Sequence, residues 1–142
     1  MKTGLNLDSK KKFPFIWRHI SLTDVLTDRE LASLGDSYVN FVYSLALSKK
    51  MGKPIGRKIS SSSLASALRK ANLRKLLAPR TDRHKQADAV EALAVYAWLT
   101  GAVPFENFLH IIEREESVED AFSLLLQIIL SKINLEISTK QF

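Results

Sequence analysis

The chain has 142 residues, enough for one domain with a proper hydrophobic core. Apolar residues make up 46% and charged residues 25%, a balance that excludes an intrinsically disordered chain, and the lack of cysteine excludes disulfides and thiolate metal centres. The net charge of +6 is unevenly spread, because Lys49 to Lys85 holds twelve Lys or Arg against one acid, whereas Gln86 to the end holds three against nine.

A concentrated basic block suits a polyanion such as nucleic acid, since each neutralised phosphate releases counterions. A solvated basic surface is the plain alternative. The longest apolar run, Leu124 to Leu130, contains Gln127 and is too short to span a bilayer, so no membrane partner is expected. Lys10, Lys11 and Lys12 precede Phe13, Pro14, Phe15, Ile16 and Trp17, but Arg18 and His19 interrupt at once, which makes a poor signal peptide. A reducing cytoplasm fits the missing cysteines.

The pattern is all-α throughout, with no repeat, strand alternation or hairpin signal. Residues 1–20 read as a basic, aromatic leader, polar over 1–12, and residues 21–142 as one helical domain. Thr27 and Glu30 suggest a capping box that starts the first long helix, with Leu26 and Leu31 as its staple. Leu31, Leu34, Tyr38, Phe41, Val42 and Leu45 mark an apolar face, and Gly52 and Pro54 end the helix near Met51.

Lys49 to Ser63 is a basic, glycine-bearing loop, read as functional. One of Ser60 to Ser63 caps a second helix running to about Leu77, with Leu64, Leu68, Ala71 and Leu76 inward and Arg69, Lys70, Arg74 and Lys75 outward. A third helix spans about Arg83 to Leu99, capped by Thr81 or Asp82, with Gly101 beyond it. Pro104 begins a fourth that ends near Glu113. Ser117 and Asp120 cap a fifth reaching about Ile133.

The third helix carries the chemistry. From Ala87 to Leu99 it is Ala, Val, Leu, Tyr or Trp except for Asp88 and Glu91. A helix apolar on every side is the buried centre of its domain. Two carboxylates three residues apart on it are neighbours, and burying them unpaired costs several kcal/mol. A cation between them, a proton on one, or an ion pair with Arg83 relieves the repulsion. Asp36 sits in Leu34-Gly35-Asp36-Ser37 within another apolar helix. Gly35 there costs about 1 kcal/mol against alanine, which points to close approach of a second helix. If that helix is the third, Asp36, Asp88 and Glu91 converge, and three carboxylates suit a hard cation such as Mg²⁺ or Mn²⁺. His19, His84 and His110 are scattered and form no competing cluster.

Leu34-Gly35-Asp36-Ser37, followed by an apolar helix, resembles the first signature of ribonuclease III catalytic domains. Ala87-Asp88-Ala89-Val90-Glu91-Ala92-Leu93 resembles the second. The likeness runs from about residue 27 to about 133, without a double-stranded-RNA-binding domain, as in the compact Mini-III and small archaeal members. It implies a ribonuclease III endonuclease-type helical bundle, a homodimer whose valley holds double-stranded RNA, and Mg²⁺-dependent cleavage to 5′-phosphate and 3′-hydroxyl ends. Asp36, Asp88 and Glu91 would then be the catalytic and metal-binding residues. Lys49, Lys50, Lys53, Arg57 and Lys58 in the loop, with Arg80, Arg83 and Lys85, would contact the RNA backbone. One position departs from the pattern: Ala32 stands four residues before Asp36, where most members carry a metal-binding glutamate. Asn40, one turn after Asp36, offers a substitute oxygen. A catalytically weakened scaffold for double-stranded or ribosomal RNA, and a helical protein-interaction module, are the other two readings.

Overall fold

The computed structural model describes residues 12–133, and all its regular elements are helical. The expected all-α architecture is what forms. Among the described residues, six α-helices follow a 3-10 turn at Pro14–Arg18: α1 (Leu22–Leu26), α2 (Arg29–Met51), α3 (Ser61–Lys70), α4 (Arg83–Leu99), α5 (Phe105–Arg114) and α6 (Val118–Lys132). A second 3-10 turn, Arg74–Leu76, lies between α3 and α4.

Helix α4 is the axis of the bundle. Between Gln86 and Leu99 only Asp88 and Trp98 escape full burial. Its principal neighbour is α2, with α3, α1 and α6 around the remaining sides. Alanines at 87, 89, 92, 94 and 97, all buried, let those neighbours come close. Helix α3 packs equally on α4 and α6, and α5 closes the bundle against α2.

Several local expectations need correction. The capping box belongs to α1, where Ser21 and Asp24 exchange bonds. Thr27 is the C-cap of that short helix, and Asp28 caps α2 by accepting from Leu31 N–H at 3.0 Å. The short helix Leu22–Leu26 carries no signal in the sequence, because so few residues leave no periodicity to detect. The buried row on α2 is Leu31, Ala32, Gly35, Val39, Val42 and Ala46, while Leu34 and Phe41 lie 44% and 59% exposed. The close approach of α4 selects the small residues for the contact face and leaves the large ones at the surface. Helix α3 stops at Lys70 rather than near Leu77. Asn72 turns left-handed (φ 65°), its N–H bonds Arg69 C=O, and Leu73 N–H bonds Leu68 C=O. That is a Schellman stop with asparagine in glycine's place, sealed by buried Leu73. Arg74 then caps the carbonyls of Ala78 and Pro79 with its guanidinium.

The remaining starts agree with the sequence: Ser60 caps α3, Asp82 caps α4, Pro104 precedes α5, and Ser117 caps α6. Residues 1–11 of the leader lie outside the described residues. The rest of it packs on the domain: Ile16 is fully buried, Phe13 meets Trp98, and His19 is buried against Asp28 and Tyr96. No helix among the described residues is long and apolar enough to cross a membrane.

Candidate active site

The site begins with Gly35. A Cβ at this position would lie 2.0 Å from the carbonyl oxygen of Glu91, so the backbones of α2 and α4 touch there. The contact carries Asp36, the next residue on α2, and Glu91 on α4 to the same place, with Asp88 one turn earlier. The three acids line one cleft of about 410 Å³, together with Arg29, Ala32, Ser33, Lys58, Ile59 and Ser61.

Glu91 is only 7% exposed. Burial, then a hydrogen bond with Asp36 and the negative charges of Asp36 and Asp88, push its carboxyl up to about 8, against a small opposing pull from Lys58. Near neutral pH it therefore holds a proton. Arg83 does not supply the ion pair that the sequence left open, and none of the ion pairs among the described residues involves Glu91. Asp36 accepts a hydrogen bond from Asn40 Nδ2 at 3.0 Å and lies 3.7 Å from Lys58 Nζ.

The donor set is all carboxylate oxygen, which suits a hard divalent cation rather than a soft one. The proton on Glu91 stands where a cation would relieve the same repulsion. As the side chains stand, no group of three His, Cys, Asp or Glu among the described residues is gathered tightly enough to hold an ion. Binding one therefore calls for a side-chain adjustment. Ala32 offers only a methyl group to the cleft wall, and Glu30 is no replacement, because it points away to within 3.5 Å of Arg18. Asn40 is no free ligand either: its Oδ1 accepts from Ile59 N–H at 2.7 Å, which ties the loop to α2.

The basic candidates divide. Lys58 lies at the cleft, and Lys85 lines an adjoining cavity that shares Arg29 and Asp88 with it. Lys53, Arg57, Arg80 and Arg83 are exposed. Lys49 is engaged elsewhere, 2.8 Å from Glu113, and Lys50 borders a hollow lined by Glu113, Glu115 and Glu116. Arg29 went unnoticed in the sequence, although it lies seven residues before Asp36, two helical turns along the same face. That spacing was its available signal.

A sequence model of the family described as Ribonuclease III matches residues 29–135. No curated protein matches the chain at a significant level. The matched span contains both acidic segments, the whole of α2 through α6, and the cleft they enclose. With all-helical architecture and most of the chain inside that match, the chain belongs to the ribonuclease III family, whose partner is RNA.

Proposed function

We propose that this protein is a Mg²⁺-dependent endoribonuclease that cuts double-stranded RNA to leave 5′-phosphate and 3′-hydroxyl ends. The carrying observation is the shared cleft of Asp36, Asp88 and Glu91, where burial first, and then the hydrogen bond and charge of Asp36 and the charge of Asp88, raise the Glu91 carboxyl. In this reading the three carboxylates hold the cation. When bound, Mg²⁺ (or Mn²⁺) supplies Lewis-acid stabilisation of the charge developing on the scissile phosphate and lowers the pKa of the attacking water. The chain's own residues do the rest. Asn40 fixes the Asp36 carboxylate in orientation. The exposed basic side chains Lys53, Arg57, Arg80, Arg83 and Lys85 hold the RNA backbone, which suits duplex RNA because it is recognised through phosphates, 2′-hydroxyls and shape.

The homodimer of this reading rests on an exposed apolar surface. Leu34, Phe41 and Trp98 are 44%, 59% and 38% exposed, and Tyr38 and Phe105 join Phe41 and Trp98 into one aromatic set. In this reading the second copy covers that aromatic set.

The test is incubation of the protein with a long RNA duplex and Mg²⁺, beside Glu91→Gln and Glu91→Ala. Metal-dependent cleavage that both variants lose supports the nuclease. The Ala32 methyl in the cleft wall favours a second reading, an RNA-binding scaffold with a weakened site. Tight duplex binding without cutting in any of the three proteins selects it.

A further inference from the structure

The basic loop after α2 is strapped back onto that helix by side chains. Asn40, Ser44 and Ser48 recur every four residues and so share one face. Ser48 Oγ accepts from Ile55 N–H at 2.8 Å. Ser44 Oγ accepts from Arg57 N–H at 2.8 Å and donates to Arg57 C=O at 2.9 Å. Asn40 Oδ1 accepts from Ile59 N–H at 2.7 Å. Residues 54–59 thus run antiparallel to α2, without helix or turn of their own. The registers fit, because four helical residues advance about 6 Å and two residues of extended chain about 6.6 Å. Every second loop residue is held by one rung.

A loop that is ordered only at the moment of binding takes that entropy out of the affinity. Here the fold has already ordered it. Buried Ile59 fixes one end at the cleft wall, and the rungs fix the rest along about 12 Å of α2. The rungs carry no charge, so they leave the basic side chains free. Lys53 and Arg57 are exposed and make no ion pair among the described residues. Between the rungs, the amides of Gly56 and Lys58 make no backbone hydrogen bond among the described residues. A Cβ on Gly56 would meet nothing within 4 Å, so this edge is open. Cations and free amides on one ordered edge are the donors that phosphate oxygens take.

We propose that Asn40, Ser44 and Ser48 are positioning residues for RNA: their ladder holds residues 54–59 as a preformed phosphate-binding edge that selects a duplex over an unpaired strand. The inference rests on the duplex-RNA reading above and needs no metal ion. A duplex presents its phosphates at fixed spacing, which a fixed edge matches. An unpaired strand adapts to whatever cations it meets and gains little from the ladder.

The test is binding of the full chain to an RNA duplex and to an unpaired strand, in EDTA, across a salt series. Wild type prefers the duplex. Ser44→Ala combined with Ser48→Ala loses about fivefold in duplex affinity, since the loop must now be ordered on binding, and keeps its single-strand affinity within about twofold. The salt dependence stays that of wild type, because no charge has gone. Ser44→Thr keeps the hydroxyl and matches wild type. Amide exchange reads the ladder directly: Arg57 N–H exchanges about tenfold faster in Ser44→Ala than in wild type or Ser44→Thr. Loss of folded protein would lower both affinities by one factor, so equal losses on the two RNAs overturn the inference, as does an unchanged duplex affinity in the double variant. Lys53→Gln and Arg57→Gln each reduce the salt slope by about one. If they do so while the serine variants match wild type, the loop touches RNA and the ladder has no part in it. Slopes unchanged in both place the contact elsewhere and overturn the inference with the RNA reading intact. A wild-type chain that binds no duplex overturns both.

Discussion

Glu91 concentrates the electrostatics of this protein in one side chain. Its carboxyl is pushed up to about 8 by burial and by two neighbouring acids, against 4.5 for an unperturbed glutamate. An acid whose pKa is raised by folding stabilises the folded state fully below the unfolded value and loses that contribution as pH climbs through the folded one. In metal-free buffer the wild type should therefore weaken steadily between about pH 4.5 and about pH 8. Glu91→Gln cannot ionise and should stay flat in that window, ending more stable than wild type at pH 8.5 by on the order of 5 kcal/mol. Urea unfolding with EDTA at pH 5 and pH 8.5 measures this. Parallel pH curves for the two proteins would mean that Glu91 titrates normally. Added Mg²⁺ should recover the difference for wild type alone, since an ion that binds only the folded state stabilises it by mass action. The acids themselves were legible as unusual in sequence, because a run of Ala, Val and Leu makes any carboxylate conspicuous. The proton on Glu91 was not, because it depends on how near Asp36 lies across two helices.

The contact between α2 and α4 is what assembles the site. The mid-helix Gly35 was a correct signal of close approach, and its partner is the backbone of Glu91 itself. Gly35→Ala should raise local helix propensity yet destabilise the protein by about 3 kcal/mol, since the new methyl meets backbone that cannot rotate aside. Thermal unfolding of the variant measures it, and an unchanged or higher Tm would show that the helices can separate freely. The same contact explains the misplaced face of α2. A sequence reading favours the large apolar residues Leu34 and Phe41 for the core, but a crossing this close admits only Gly, Ala and Val at its centre. Helix ends were legible where a side chain caps them, as at Ser60, Asp82 and Ser117. They were missed where one turn stands alone or where asparagine takes the left-handed position, as at Asn72.

Across the whole molecule the charge asymmetry of the sequence is partly spent inside the fold. Lys49 pairs with Glu113, Lys70 with Asp120, and Ser63 hydrogen-bonds Glu119, so acids from the last third of the chain tie down part of the basic block. What remains exposed is a smaller basic set, of which Arg29 and Lys58 line the acidic cleft and Lys85 the cavity beside it, and an aromatic surface on α2, α4 and α5. If that aromatic surface joins two copies, Phe41→Glu should shift the sedimentation coefficient from dimer to monomer while leaving the helical circular-dichroism signal intact. A stable dimer has to bury about 1,200–2,000 Å², so one charge at its centre should raise the dimer Kd by at least tenfold. A wild-type protein that sediments as a monomer would remove the dimer from the proposed function.

By itself the sequence determined the helical class, most helix starts, the buried character of α4, and the family, because periodicity, caps and two short motifs are local properties of the chain. Only the tertiary structure decided that Asp36, Asp88 and Glu91 share a cleft, that Ala32 leaves a methyl in its wall, that Asn40 anchors a loop instead of facing an ion, and that Lys58 rather than Lys49 stands at the acids. Those are contacts between segments far apart in sequence. Gly35 signalled a close approach, but which helix it meets and which side chains the crossing gathers are set only when distant segments pack.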